Sequence, residues 1–249
     1  MSTVETCGGR ELSGRRFSDL VSSFTAELQG LLKAAPAILL LSTAALLLQL
    51  SPELQTLLDL RFARLECVSL WRLATCHLLH WSWNHCGWDV LVFVSAGVLC
   101  ESRWPGACRR VLFWSAVLIP LAVLLAEPEL LCYRGLSGAD SALFALAAGM
   151  LLQEEWRSGR RWWATFAGLA VICQFLKIAA EIYAGQTLFV SDRSFVPLPL
   201  AHLTGAAVGS VVAACCAVKQ YWGPGRTDNK NQTQLGLSSP RSALKTRLF

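Results

Sequence analysis

Ser137 stands between two glycines at the mouth of an apolar run, residues 133–149, YRGLSGADSALFALAAG. A serine hydroxyl is a weak nucleophile until a base takes its proton, and a substrate carbonyl reaches it only past a thin backbone. Gly135 and Gly138 supply that thinness. A helix that begins at Ser137 also aims unsatisfied backbone N–H groups at any oxygen beside the hydroxyl, so one turn offers both a nucleophile and an anion stabiliser. The segment has a blander explanation as well. Gly138, Ala142, Ala145 and Gly149 equally suit a tightly packed membrane helix that does no chemistry.

A base is available. The four histidines are His77, His80 and His85, which lie with Asp89 in CHLLHWSWNHCGWD, and His202 in AHLTGAAVG. One histidine on an apolar face is usually a satisfied core residue, but four at one expected depth argue for a polar site. Ala201, Gly205, Gly209 and Ala213 recur every four residues and form a small-residue face, and Gly138 and Ala142 offer a matching one. If these faces pack in parallel, Ser137 and His202 share a level, and a serine within hydrogen-bond reach of an imidazole is a base-activated nucleophile. Other polar residues read as structural. Asp140 complements a helix dipole, Lys177 and Glu181 form a local ion pair four residues apart, and Arg134 is an interfacial anchor.

These residues need helices in a membrane to position them. The 249 residues are 54% hydrophobic and 16% charged, against roughly 25% charged in soluble domains, with a mean hydropathy of +0.44. The net charge of +5 collects in connectors and near the ends, without a basic stripe interleaved with aromatics, so membrane orientation explains it and nucleic-acid binding does not. The ten cysteines show neither C-x-x-C pairs nor zinc spacing, so no metal or cofactor is expected. They read as small apolar fillers, with a disulfide among Cys67, Cys76, Cys86 and Cys132 left open. Apolar runs at 34–50, 81–100, 111–126, 137–152, 162–180 and 198–218 predict an all-α polytopic bundle of six transmembrane helices. The expected organisation is a cytoplasmic lead (1–33), a membrane domain (34–219) and a disordered cytoplasmic tail (220–249), with a partly helical connector over 51–76. The lysine and arginine asymmetry places both termini in the cytoplasm, so the second, fourth and sixth helices begin at the outer face. That puts His77, His80, His85 and Asp89 on the second helix, Ser137 and Asp140 on the fourth, and His202 on the sixth.

Three segments in this order, WRLATCHLLHWSWNHCGWD, GLSG and AHLTG, resemble the motifs of the rhomboid intramembrane serine proteases. The resemblance extends over about residues 34–219. Glu101 matches the family's glutamate at the inner end of its second helix, and Trp71 and Arg72 match its Trp-Arg pair. The resemblance implies that Ser137 is the nucleophile and His202 the general base. It further implies that His85 and the Ser137 backbone N–H stabilise the oxyanion, with His80, Gly135 and Gly138 in support. Substrates would be membrane-anchored proteins met in the bilayer, with a bacterial plasma membrane as the expected location. Two positions depart from the pattern. Asp89 replaces an asparagine that donates to the oxyanion, and an ionised carboxylate would repel that charge. Either Asp89 is protonated and donates, or it holds His85 as an imidazolium. Ser141 stands where the family places a ring under the catalytic histidine, with Phe144 as a candidate substitute. The extended YRGLSG is similar to the rhombosortase branch, which implies processing of C-terminal Gly-Gly anchor segments. The alternative is a catalytically inactive rhomboid-like protein that binds transmembrane clients. A transporter with a histidine proton relay would explain the buried polar residues but not the glycines around Ser137.

Overall fold

The computed structural model describes residues 29–30, 33–62, 69–185 and 198–222. The expected lead up to residue 28, Cys7, Arg64, Cys67, Arg193 and the tail from residue 223 lie outside the described residues.

Helix α1 (Pro36–Leu48) starts on proline, whose missing N–H costs nothing in a first turn. Its 13 residues span about 20 Å at 1.5 Å per residue, short of a full crossing. Ser51 then caps α2 (Pro52–Leu58) by accepting from Leu54 N, with Glu53 in the first turn, and the two helices meet at a bend of 118°. The run 34–50 is therefore mostly one helix, too short to cross alone, and the bend follows at its end. After the short strand β1 (Leu60–Arg61) come α3 (Arg72–Thr75) and a 3-10 turn, Cys76–Leu78. The long helices α4 (Trp83–Arg103) and α5 (Pro105–Ala126) follow. Strand β2 (Cys132–Tyr133) pairs antiparallel with β1, Leu60 opposite Tyr133, and leads into α6 (Ser137–Arg157). Helices α7 (Arg161–Ala184) and α8 (Pro199–Trp222) complete the bundle.

Among the described residues, α5, α7 and Pro199–Lys219 of α8 are long and apolar enough to cross a membrane, and the bent α1–α2 pair makes a fourth candidate. Helices α4 and α6 are long enough at 21 residues each, but they carry polar residues that turn inward, among them His85, Asp89 and Asp140, all buried. Their low hydropathy is thus a consequence of lining the interior.

Helix α6 is the centre of the bundle, with Ala142, Leu143 and Leu146 fully buried. Its closest partner is α8. A Cβ placed on Gly205 would overlap the Gly138 carbonyl, one on Gly209 would overlap the Ala142 carbonyl, and one on Gly149 would sit 2.9 Å from Ala213 Cβ. The small-residue faces read from the sequence therefore meet, in parallel and in the expected register. Parallel packing also joins α4 to α6, from Asp89 beside Leu136 to Cys100 Sγ beside Leu143 O.

Glu101 fastens α1 to this core. Its two carboxylate oxygens accept from Ala37 N (3.1 Å) and Ile38 N (2.9 Å), two of the donors that a helix N-terminus leaves without partners. A carboxylate is also favoured by the helix dipole there. Glu101→Ala is expected to lower stability by about 1–3 kcal/mol, the cost of stranding part-buried donors, with Glu101→Gln losing less. Thermal unfolding in detergent measures this, and equal midpoints for all three proteins would refute the role.

Candidate active site

Ser137 is the first residue of α6, and no side chain caps that terminus, so its first N–H groups open at the helix mouth. The turn before it is fixed from several directions. Gly135 has φ +129°, a conformation that strains any L side chain, and an added Cβ would lie 3.3 Å from His85 Cε1. Gly135 N donates to Cys76 O at 3.1 Å. Its carbonyl accepts from Tyr133 OH at 3.4 Å and lies 3.3 Å from His77 Nδ1. Burial pushes the His77 imidazole down to about 4, so the ring is neutral and its one N–H donates to Gly135. Burial also pushes the Tyr133 phenol well up, which keeps it a donor.

His77 and His80 do not lie on the long helix, as the sequence reading had them. His77 is on the 3-10 turn and His80 on the bend after it, because Ser82 caps α4 by accepting from His85 N. Ser82 before the helical run was the readable signal. His80 nevertheless joins His85 at Asp89, while His77 packs on the Gly135 turn. Asp89 Oδ2 accepts from Leu136 N at 3.1 Å and lies 3.2 Å from His80 Nε2 and 3.3 Å from His85 Nε2. All three side chains are buried, and the two rings meet edge to face at 5.1 Å. This oxygen is an acceptor. The carboxylate thus sits between His85, His80 and the peptide immediately before Ser137.

Ser137 and His202 line one cavity of about 1000 Å³, together with Trp81, His85, Asp89 and Glu181. Their neighbours touch across the α6–α8 contact, since a Cβ on Gly138 would sit 3.0 Å from Ala201 O. The sequence reading did not foresee what holds His202. Its Nδ1 donates to Glu181 Oε2 at 2.8 Å, while Glu181 Oε1 meets Lys177 Nζ, also at 2.8 Å. The local ion pair of Lys177 and Glu181 exists, and its carboxylate reaches across to α8. With Nδ1 donating, Nε2 is left as the acceptor nitrogen of the ring.

Ser141 Oγ donates to Ser137 O at 3.0 Å, and Ser141 O accepts from Gln174 Nε2 at 2.7 Å. Phe144 lines the cavity, yet what fixes His202 is a carboxylate. Asp140 sits in the first turn of α6, as a dipole complement should, but it is buried on the cavity wall. Arg134, expected as an interfacial anchor, has partners within the chain. It donates to Asp59 Oδ2 at 2.9 Å and Gln55 Oε1 at 3.3 Å and lies over the Trp81 ring at 4.6 Å, tying the strap before Ser137 to α2 and its following turn. Cys76, Cys86 and Cys132 are free thiols.

A parallel helix trio that opens its N-termini on a half-buried serine beside buried histidine and aspartate side chains belongs to a polytopic helical membrane protein with a cavity at one end. The Rhomboid domain model matches residues 68–219, more than half of the chain, and the chain belongs to the rhomboid family. It is thus a multi-pass membrane protein of a family whose members are in general intramembrane serine proteases acting on membrane proteins within the bilayer. No curated protein matches the chain.

Proposed function

We propose that this rhomboid is an active serine endopeptidase that cleaves a peptide bond in or near a substrate's transmembrane segment. One observation carries the reading. The tightest helix contact in the bundle, α6 against α8, brings Ser137 and His202 to the wall of the same cavity. In this reading His202 Nε2 takes the Ser137 proton as Oγ bonds to the substrate carbonyl carbon, and the acyl-enzyme is then hydrolysed by water. The uncapped N–H groups of Ser137 and Gly138 serve as charge-free donors for the oxyanion. His85 contributes through its contact with Asp89, and His80, Gly135 and Gly138 hold the turn in shape.

The proposal includes six crossings, with α4 and α6 spanning beside α5, α7, α8 and the α1–α2 pair, inside a membrane domain over 34–219. Both termini face the cytoplasm of a bacterial cell, and the cavity opens toward the outer leaflet. The similarity of YRGLSG to the rhombosortase branch supports substrates with a C-terminal Gly-Gly anchor.

Covalent capture tests the chemistry. The detergent-solubilised full chain is expected to label with a fluorophosphonate probe, and Ser137→Ala and His202→Ala to lose labelling by at least 10³-fold. Labelling that persists in Ser137→Ala would refute the nucleophile. Absence of labelling in the parent chain would turn the assignment toward a client-binding rhomboid without catalysis.

A further inference from the structure

We infer that Glu181 is a positioning residue for His202, making the site a Ser137–His202–Glu181 triad in which Lys177 balances the carboxylate charge. The inference rests on the endopeptidase reading above and adds a member to it.

Glu181 is fully buried on α7, in a bilayer-spanning helix with few other polar groups inside. An ionised carboxylate at such a place is costly unless it is paired and hydrogen-bonded. Its two oxygens divide between two jobs. Oε1 meets Lys177 Nζ at 2.8 Å on its own helix, and Oε2 meets His202 Nδ1 at 2.8 Å on another. The ion pair alone would account for a charged pair near a helix end, but it gives no reason for the second oxygen to reach the ring. That contact fixes the tautomer, because a carboxylate oxygen facing Nδ1 requires the ring proton there and leaves Nε2 unprotonated to act on Ser137. The proton balance follows. The Ser137 proton passes to His202 Nε2 as the Oγ–carbon bond forms and the carbonyl electron pair moves onto oxygen. The same proton leaves with the amine when the scissile bond breaks. Glu181 keeps no proton at any point, and stabilises the transient imidazolium through its charge. Lys177, with its side chain partly exposed, prevents that carboxylate from standing uncompensated between turnovers. Asp89, Glu129 and Asp140 are the other carboxyl residues that line the cavity.

The test separates positioning from folding and from failure of the enzyme reading. Inactivation of the full chain in detergent is followed against fluorophosphonate concentration, giving a maximal rate and a half-saturation constant for each variant. Glu181→Gln has nearly the same shape, but its amide offers Nδ1 either an acceptor or a donor. It is expected to lower the maximal rate by 10²–10⁴-fold with little change in half-saturation. Glu181→Asp is expected to recover to within about tenfold of the parent. A wild-type maximal rate in Glu181→Gln overturns the inference, as does an equal loss in Gln and Asp variants that tracks lost thermal stability. In both cases Ser137→Ala still failing to label leaves the endopeptidase reading intact, whereas labelling of Ser137→Ala removes that reading itself.

Discussion

Gly205→Val is expected to abolish probe labelling and to destabilise the bundle by about 3 kcal/mol or more, the upper range for overpacking. The reason lies in what the new side chain would strike. The group opposite Gly205 is the Gly138 carbonyl, part of the α6 backbone, and a Cβ would overlap it. A flexible side chain could swing aside, but a helical carbonyl cannot without losing its own hydrogen bond. Helices α6 and α8 would have to separate, and they carry Ser137 and His202. One added side chain thus acts on stability and chemistry together. Gly87→Ala on α4 is the control, since nothing lies within 4 Å of its added Cβ, and it should leave both unchanged. Labelling rates and thermal midpoints in detergent decide the matter. A Gly205→Val protein that labels like the parent would show that the α6–α8 contact does not set the Ser137–His202 geometry.

The contact that makes this prediction was legible in the sequence because it depends on spacing alone. Ala201, Gly205, Gly209 and Ala213 recur at the period that places residues on one helix face, and no other feature of the chain needs to be known to see them. The start of α6 at Ser137 was legible too, since Gly135 marks a break in any helix before it. Contacts that join residues far apart in sequence left weaker traces. Glu181 looked complete with Lys177 four residues before it, and a satisfied local pair conceals a second partner 21 residues away on another helix. The clue that remained was a carboxylate buried at the same end as His202. Arg134 was read from its neighbours, whereas Asp59, its partner, sits 75 residues earlier in a connector whose course the apolar pattern did not define. The second helix after the first apolar run was readable and outweighed by leucine content. Ser51, Pro52 and Glu53 together are a helix-start signal inside what hydropathy treats as one connector.

Asp89→Ala is expected to cost at least 100-fold in labelling rate, and the cost should exceed that of Asp89→Asn. In the folded chain Asp89 Oδ2 accepts the Leu136 N–H and faces the Nε2 atoms of His80 and His85, all of them buried. Alanine removes every acceptor at once. A buried donor left without a partner costs about 1–3 kcal/mol, and 1.36 kcal/mol is tenfold in rate, so loss of even the Leu136 contact with one ring contact reaches the predicted factor. Leu136 immediately precedes Ser137, so the damage falls on the turn that aims the nucleophile. Asparagine keeps one acceptor oxygen for Leu136 while removing the negative charge that a developing oxyanion would meet. Asp89→Asn is therefore expected to stay within about tenfold of the parent. If it fell to the alanine level, the charge between the two imidazoles would be the essential feature, and the backbone contact secondary. If alanine labelled as fast as the parent, Asp89 would have no part in holding the serine turn, and the departure from asparagine at this position would be neutral.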